Sequence, residues 1–549
     1  MSVALTINGH STAATPTGAS LFDLAEALGV TVPTSCLKNG KCKECIVEVT
    51  DGMTALSAPT PQEAHLQGPF RLSCQARISA STGVVTCHTM RRGQMHIARH
   101  AFGLPVSNRP VALEPAVTRD GDRILIDGVE VARSTAPIHG LAMDLGTTTI
   151  VLRLLNLETG EQIADASFEN PQRFGGSDVM SRIHYDTEHP GRLLMRTLAG
   201  YLTHAIEAFP VDPATIYEMV VVGNATMRDI FFRQRVYSIG QTPYQSITEI
   251  EMAQGLRSST SLESSGRRTL LPIHPKARVY GAPVISGHVG ADAAACMLAV
   301  DLAHEDRLVA VMDIGTNTEL ILGNRARVLA ASCPAGPAFE GGAITCGMPG
   351  LDGAIERVSI SPDGTFALGV IGDAEPVGIC GSGLMDLASE LLRTERMNAL
   401  GRFDDASVVT LDAARGIVFT ESDVNELAQA KGANVAGLQV VFSEYGIDFH
   451  DIDVFYLAGG FGQHLSLDAA KRIGLVPNIA NEKFVQVGNA AIEGACMALL
   501  SVSKRRELEQ LVREVVHCRL ETHPDFFDFF VDGCQFKPIA STSQPLRAG

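Results

Sequence analysis

The chain contains no tryptophan, and aromatic residues make up only 5% of its 549 residues. Positive charge is also scarce, because 44 lysines and arginines are set against 61 aspartates and glutamates, which gives a net charge of −17. Nucleic-acid binding needs lysine and arginine concentrated on one surface, so this balance argues against it. No run approaches the roughly 18 apolar residues of a membrane-spanning helix. We therefore expect neither a nucleic-acid nor a membrane partner.

The N-terminus lacks the charged and apolar segments of a secretory signal peptide. The twelve cysteines are not spaced as a disulfide framework. Because disulfides persist in oxidising compartments, scattered thiols suit a reducing one, and we expect a cytoplasmic protein. A chain of 549 residues is too long for one core and should contain several domains.

Four cysteines near the N-terminus have the spacing of an iron–sulfur ligand set. Cys36-x5-Cys42-x2-Cys45 is followed by the isolated Cys74. The first gap is one residue longer than the plant-type spacing and resembles that of the adrenodoxin branch of [2Fe–2S] ferredoxins. A structural zinc site is the alternative, but zinc ribbons usually have two short cysteine knuckles, and here the fourth cysteine stands alone. The motif therefore favours a [2Fe–2S] cluster.

The residues around these cysteines also suit a ferredoxin. Gly40 permits a tight turn, while Lys38, Lys41 and Lys43 place positive charge where it favours thiolate over thiol. The residue pattern predicts strands at 3–7, 46–49 and 83–87 and a short amphipathic helix at 21–29. This order of elements predicts an α+β domain of the β-grasp ferredoxin type.

Two apolar strands joined by a turn begin at residue 141, in LAMDLGTTTIVLRLL, and the design recurs from residue 308 in LVAVMDIGTNTELIL. Asp144 and Asp313 take matching places, which indicates duplication of a whole domain. Glycine lets backbone N–H groups approach a phosphate, threonine hydroxyls donate to it, and an aspartate can hold Mg²⁺ through water. One such loop could be an ordinary hairpin, but two in register favour a phosphate cleft. The candidate phosphate ligands are Gly146, Thr147, Thr148, Gly315, Thr316, Asn317 and Thr318.

Three further segments are candidates for the same cleft. The strand VFYLA ends in glycines that would let a flat adenosine ring lie against backbone, although a plain strand-to-helix turn is the alternative. Asp292 lies on a predicted helix close to the second loop in sequence, and it is also a candidate for capping that helix. Gly381 and Ser382 open a periodic helix whose N–H groups could face an anion, unless Ser382 only caps it. The candidate adenosine contacts are Gly459, Gly460, Phe461 and Gly462.

The order DLGTTT, DIGTNT, LAGGFG resembles the phosphate-1, phosphate-2 and adenosine motifs of the actin, sugar kinase and Hsp70 superfamily. The resemblance implies an α/β actin-like ATPase of two duplicated RNase H-like domains that close over Mg-ATP. Asp144 and Asp313 would then hold Mg²⁺ and its waters. Asp292 takes the position of the superfamily's acidic connecting element, which makes it a candidate for positioning the attacking water.

The combination of ferredoxin and ATPase resembles the reductive activators of corrinoid proteins. Further blocks carry this resemblance: NPQRFGGSDVMSRI, VVGNATM, CPAGPAFEGGAITCGM, GAIERV, GICGSG and VGNAAIEGA. It implies ATP-dependent one-electron reduction of Co(II) to Co(I) from a [2Fe–2S] cluster. The implied partners are a corrinoid protein of a methyltransferase system and an upstream electron donor, and relatives are commonly homodimers.

Three other functions are open at this point. One is a small-molecule kinase of the same superfamily regulated by redox state, although no substrate-binding aspartate can be located. Another is an activator of a radical-type dehydratase, whose cluster would instead lie on cysteines of the ATPase domain. The last is a non-enzymatic, nucleotide-gated redox sensor.

The expected domains are a ferredoxin-like domain at 1–88, a linker at 89–138, and the two ATPase halves at 139–306 and 307–540. The linker is expected to contain a hairpin with Asp127 and Gly128 at its turn. A linker of this length would give the electron donor mobility.

Overall fold

The computed structural model describes residues 2–91, 104, 111–404, 407–460 and 465–539. Most of the expected linker's first half, residues 92–103 and 105–110, lies outside this part, as does the expected end of the ATPase at residue 540. No helix in the described ranges has the length and apolarity needed to cross a bilayer.

The N-terminal module is a mixed five-stranded sheet with one helix. Its apolar residues alternate along the strands, so Val3, Leu5 and Ile7 are buried while their neighbours are partly exposed. The sheet order is β2-β1-β5-β3-β4, with β1 and β5 parallel. This is the predicted β-grasp arrangement. The elements are β1 (Val3–Ile7), β2 (His10–Thr15), α1 (Leu21–Ala27), β3 (Ile46–Asp51), β4 (Phe70–Leu72) and β5 (Gly83–Thr89).

A small antiparallel sheet follows, formed by β6 (Val117–Asp120), β7 (Arg123–Ile126) and β8 (Val129–Arg133). The turn between β7 and β8 is the predicted hairpin. Asp127 and Gly128 both have positive φ, 48° and 82°, which is the backbone of a two-residue type I′ turn. The strand β6 was not predicted.

The first ATPase half contains a six-stranded sheet of order β11-β10-β9-β12-β14-β13. Its strands are β9 (His139–Leu145), β10 (Thr149–Asn156), β11 (Gln162–Glu169), β12 (Ile216–Gly223), β13 (Leu262–Ser265) and β14 (Arg278–Gly281). Its helices are α2 (Val179–Glu188), α3 (Leu193–Glu207), α4 (Ala225–Phe231), α5 (Ile247–Ala253), α6 (Gly266–Thr269) and α7 (Ala291–Ala299).

The second half is built on a sheet of order β24-β23-β15-β16-β17-β25, accompanied by two smaller sheets. Its strands are β15 (Val309–Ile314), β16 (Thr318–Asn324), β17 (Arg327–Cys333), β18 (Ala354–Ile360), β19 (Phe366–Val370), β20 (Gly378–Ile379), β21 (Val408–Asp412), β22 (Ile417–Thr420), β23 (Val454–Ala458), β24 (Phe484–Gly488) and β25 (Val516–His517). Its helices are α8 (Gly381–Arg393), α9 (Glu421–Tyr445), α10 (Leu467–Ile473), α11 (Ala490–Leu500), α12 (Val502–Glu514) and α13 (Phe526–Gly533).

The two halves repeat one topology. In each half, the first three strands form an antiparallel meander. Two later strands, β12 and β14 or β23 and β24, lie on the other side of the first strand and run parallel to it. The order β11-β10-β9-β12-β14 thus matches β17-β16-β15-β23-β24. This is the duplication predicted from the two loops, in the RNase H-like form.

Helices α7 and α11 pack closely where the halves meet. A Cβ atom on Gly494 would lie 2.1 Å from the carbonyl oxygen of Ala295. Only glycine allows this approach, because any side chain would push the two backbones apart. The crossing therefore fixes the separation of α7 and α11.

The ferredoxin module is docked on α2 and α3 of the first half. The Tyr185 hydroxyl donates to the carbonyl of His65 at 3.0 Å, and the Met90 N–H donates to Tyr201 Oη at 3.1 Å. Arg173 forms a 2.7 Å ion pair with Glu48. In this structure the module is thus held by specific contacts, whereas the linker alone had suggested a freely moving donor.

A buried ion pair holds the chain just before the fourth cysteine. Arg71 Nε lies 2.7 Å from Glu63 Oε1, with side-chain exposures of 3% and 1%. The carboxylate also accepts the backbone N–H groups of Thr60 and Leu72. Removing the guanidinium would leave a buried, unpaired charge, which typically costs about 3–5 kcal/mol.

We therefore expect Arg71→Met to destabilise the ferredoxin module by about 3–5 kcal/mol. The measurement is amide hydrogen exchange of peptides from residues 2–91, which should speed up while peptides of the ATPase halves are unchanged. Arg77→Met is the matched control, because Arg77 is exposed and donates to the Gly18 carbonyl. Equal exchange in the two variants would contradict the prediction.

Candidate functional site

The two predicted phosphate loops connect β9 to β10 and β15 to β16, and both line one cleft between the halves. The cleft has an open volume of about 1180 Å³. A Cβ on Gly146 would lie 2.7 Å from the carbonyl oxygen of Thr149, so the first turn requires glycine. The Thr148 and Thr316 hydroxyls are 2.8 Å apart, which brings the loops of the two halves into contact.

Most predicted phosphate ligands face this cleft, and one does not. The cleft is lined by Gly146, Thr147, Thr148, Gly315, Thr316 and Asn317. Thr318 is fully buried, and in β16 it shares a face with Leu320, which belongs to the core of the second half. Its hydroxyl has no hydrogen-bond partner among the described residues. The expected phosphate contact of Thr318 is therefore a core position instead.

Six carboxylates of the described residues line the cleft, and four of them interact through their charges: Asp144, Asp292, Asp313 and Glu319. The other two are Glu340 and Glu356. Burial, together with the charges of Asp292 and Asp313, raises the pKa of Asp144 to about 7. Burial and the charge of Asp313 likewise raise the pKa of Asp292 to about 7. Burial raises the pKa of Asp313 to about 6. Glu319, which was not predicted, has a pKa well above its usual range because of burial and the charges of Asp292 and Asp313.

Such a concentration of buried negative charge is the kind that a divalent cation offsets. Of the described residues, the one group that brings three metal-ligand atoms within 4.8 Å of one another is Asp301, His304 and Glu507. The Lys504 ammonium already lies among them, 3.3 Å from Asp301 and 2.9 Å from Glu507. The cleft acids therefore fit a cation held through its waters better than one held by direct ligands.

Two asparagines that sequence reasoning did not single out support the loops. Asn224 caps α4 and donates to Thr147 Oγ1 at 2.8 Å. Asn489 caps α11 and donates to Asp144 Oδ2 at 2.8 Å. A repeat in the sequence could have identified these asparagines, because both lie in the tetrapeptide VGNA, which occurs twice in the chain.

The candidate adenosine and anion segments also reach the cleft. Gly459 has a φ of +103°, and a Cβ there would lie 2.3 Å from the Ile314 carbonyl, so the strand end packs tightly on the second loop. Gly460, Gly381 and Ser382 line the cleft as well. Ser382 does not cap α8, whose N-cap residue has no side-chain hydrogen bond to the helix. Two further predicted adenosine contacts, Phe461 and Gly462, lie outside the described residues.

The four N-terminal cysteines interact as two pairs, Cys36 with Cys42 and Cys45 with Cys74. Cys45 Sγ and Cys74 Sγ are 3.3 Å apart, and three of the four side chains are buried, with Cys36 half-buried. The hydrogen bond from Cys45 lowers the pKa of Cys74 to about 6 and raises that of Cys45. These sulfurs fit the ligand set of a [2Fe–2S] cluster.

Backbone N–H groups of the loop point at the sulfur of Cys36. Burial alone would raise the pKa of Cys36, but hydrogen bonds from Cys42, Asn39 and Lys41 outweigh it and lower the pKa. Such bonds are one of the means by which proteins tune a cluster. Left-handed backbone at Leu37, Lys38, Gly40 and Lys43 makes this inward orientation of the amides feasible.

The lysines of this loop are engaged elsewhere. Lys38 forms ion pairs with Asp23 at 2.8 Å and Glu26 at 2.6 Å on α1. Lys43 Nζ lies 3.2 Å from His65 Nδ1. The expected stabilisation of thiolates by lysine charge is therefore replaced largely by the backbone amides.

Comparison with family models covers most of the chain. Residues 5–79 match the 2Fe-2S iron–sulfur cluster binding domain. Residues 139–305 match the RACo middle region, and residues 307–545 match the C-terminal domain of RACo, the ASKHA domain. The middle region coincides with the half that carries Asp144. The chain thus has a domain that binds a [2Fe–2S] cluster and an ATP-binding ASKHA domain.

Two curated relatives and one solved structure are similar over most of their length. The corrinoid activation enzyme RamQ of Eubacterium limosum is 32% identical over 447 residues, covering 76% of this chain and 73% of its own. The [Co(II) methylated amine-specific corrinoid protein] reductase of Methanosarcina barkeri is 25% identical over 423 residues, covering 72% and 76%. The structure of a reductive activator for corrinoid, iron–sulfur protein superposes with a TM-score of 0.71 at 26% identity and covers 98% of both chains. The chain therefore belongs to the RACo family, the reductive activators of corrinoid proteins.

Proposed function

We propose that this protein couples ATP hydrolysis to the one-electron reduction of a corrinoid protein from Co(II) to Co(I). One observation carries the proposal. The ferredoxin module with its four cysteines packs, in the same chain, against the first of the two ATPase halves that form the nucleotide cleft. The Tyr185–His65 contact at 3.0 Å joins these two parts directly.

The energetic need for ATP follows from the cluster. A [2Fe–2S] cluster held by Cys36, Cys42, Cys45 and Cys74 supplies a carrier for one electron, with a potential of about −400 mV in plant-type ferredoxins. Each shortfall of about 59 mV against a more reducing acceptor costs a factor of about ten in the equilibrium. A nucleotide-driven change of conformation offsets this shortfall, either by changing the environment of the acceptor or by trapping the product.

The cleft residues divide the work of binding the nucleotide. Asp144 and Asp313 would hold Mg²⁺, which would neutralise phosphate charge, while the Thr147, Thr148 and Thr316 hydroxyls would bind phosphate oxygens. The backbone at the end of β23 would contact adenosine. The first turn of α8 would offer its N–H groups to an anion, because the N-cap residue makes no side-chain capping hydrogen bond.

The partners follow from the same proposal. The acceptor is a corrinoid protein of a methyltransferase system, and a separate upstream donor reduces the cluster. The relatives' names support a corrinoid partner, and a homodimer is the proposed assembly.

The central prediction concerns the Co(I) spectrum. Purified anaerobically with two irons per chain, the protein is mixed with a Co(II) corrinoid protein and a reductant. The Co(I) absorbance should appear with Mg-ATP and not without it. If ATP makes no difference, or if a small molecule is phosphorylated instead, the proposal is wrong and the kinase function gains support.

The two sites should be separable by substitution. We expect Asp313→Ala to abolish ATP-stimulated reduction and leave the cluster spectrum intact, because the aspartate lies in the nucleotide cleft. Cys42→Ser should do the reverse, removing the cluster spectrum while ATP hydrolysis remains. Unchanged stimulation in Asp313→Ala would show that the nucleotide site is assigned to the wrong residues.

The apparent affinity for Mg²⁺ should depend on pH. Since burial raises the pKa of Asp144 to about 7 and that of Asp313 to about 6, protons compete with the cation below these values. We expect the Mg²⁺ concentration for half-maximal ATP hydrolysis to rise up to about tenfold per pH unit from about pH 8 to about pH 6. Asp313→Asn should flatten this dependence when it is measured as Mg²⁺-dependent binding of a non-hydrolysable ATP analogue, a readout that does not require hydrolysis. A wild-type affinity that is constant over the range would refute the assignment.

A further inference from the structure

The carboxylates of the cleft fall into two separate sets. Asp144, Asp292, Asp313 and Glu319 perturb one another through their charges. Glu340 also lines the cleft, but the charged group that bears on it is Arg182 of α2 rather than any of these acids. Glu340 is therefore the member of the cleft that stands apart from the proposed Mg²⁺ side.

Glu340 lies where the two phosphate loops meet. Its Oε2 atom accepts the Thr148 hydroxyl at 2.8 Å and also accepts the Thr316 hydroxyl. One carboxylate oxygen is thus held by one residue from each half. Because each hydroxyl has a single proton, donation to a phosphate oxygen would release Glu340 Oε2. A water or phosphate oxygen bound in this part of the cleft would be close to Glu340.

The segment that carries Glu340 is fixed on both sides. It ends a short helical turn, Pro337–Glu340, that follows β17. The next residue, Gly341, has a φ of +82°, and a Cβ there would lie 2.5 Å from the Met348 nitrogen. Further on, the Thr345 N–H donates to Asp423 Oδ1 at the start of α9 at 2.7 Å. The carboxylate is therefore pre-positioned, as a group acting on a reacting atom must be.

A carboxylate in this position is poorly suited to binding phosphate, because both groups are negative. It is well suited to accepting a hydrogen bond, and then a proton, from a water that attacks the phosphate. Asp292 was the sequence candidate for this task. Asp292 belongs to the group of acids whose negative charge a cation would offset. Its Oδ1 atom already accepts the N–H of Ala293 at 2.8 Å.

We propose that Glu340 is the catalytic residue that orients the attacking water in ATP hydrolysis. The water oxygen bonds to the terminal phosphorus as the bond from phosphorus to the bridging oxygen breaks. ADP leaves with that oxygen, and one water proton passes to the Glu340 carboxylate. The inference rests on the ATP hydrolysis of the proposed function and adds the residue that carries it out.

The test uses the full-length, cluster-loaded protein and measures hydrolysis without a corrinoid partner. Glu340→Gln keeps an oxygen that can accept both threonine hydroxyls but cannot take a proton. We expect kcat for ATP to fall by about 100-fold or more, while the affinity for a non-hydrolysable ATP analogue stays within about threefold. Glu340→Ala should regain part of its rate in sodium formate, because a small carboxylate can enter the cleft. Glu207→Gln is the matched control for the same chemical change, because Glu207 is exposed on α3 and does not line the cleft.

Each outcome decides the point. A kcat of Glu340→Gln within about threefold of wild type overturns the inference. Loss of analogue binding together with the rate also overturns it, because Glu340 would then only hold the two phosphate loops together. If Glu340→Gln is unstable, Glu340→Asp replaces it, with a lower kcat and unchanged analogue binding as the expected result. An Asp292→Asn variant that loses hydrolysis while Glu340→Gln keeps it would return the role to Asp292.

Different results would reject the proposed function and the inference about Glu340. Hydrolysis that depends on Glu340 but does not stimulate formation of Co(I) would leave the inference standing and reject reductive activation. A wild-type protein without any ATP hydrolysis would reject both.

Discussion

The close crossing of α7 and α11 is the contact on which the geometry of the cleft depends. Gly494 brings the backbone of α11 against the carbonyl of Ala295, a distance that no other residue would allow. Asp292 lies in the first turn of α7, and Asn489 caps α11 and donates to Asp144. The same helix crossing therefore sets both the width of the cleft and the spacing of its charged groups.

The charges of the cleft come from both halves of the ATPase. Asp144 and Asp292 belong to the first half, and Asp313 and Glu319 belong to the second. Because these acids repel one another when ionised, their charge opposes closure of the halves. A cation bound between them would offset that repulsion. Metal binding would then favour closure of the halves through electrostatics.

The sequence predicted those parts of the fold that depend on local pattern. The alternation of apolar residues located the ferredoxin strands, and the repeated DxG turns located the duplicated halves and the acids Asp144 and Asp313. The buried position of Thr318 could have been anticipated from the same alternation, because Thr318 and Leu320 share one face of β16 while Glu319 has the opposite one. A turn motif should be read together with the register of the strand that follows it, because alternate residues of that strand face opposite sides of the sheet.

Long-range contacts were out of reach of such patterns. Glu340 meets Thr148 across 192 positions, and Asn489 meets Asp144 across 345 positions. Neither contact is implied by local spacing, because it depends on how the two halves pack. The docking of the ferredoxin module on α2 and α3 is of the same kind. The sequence identified the chemical groups that the cleft needs, and the packing determined which of them meet.

The docked position of the ferredoxin module has a mechanical consequence. Its contacts through His65, Met90 and Glu48 are all with the first half. A rotation of that half about the α7–α11 crossing therefore carries the cysteine site with it as one rigid body. An angular change that opens or closes the cleft would therefore also reorient the cysteine site relative to the second half. Nucleotide binding and presentation of the electron donor to its partner would in this way be parts of one movement.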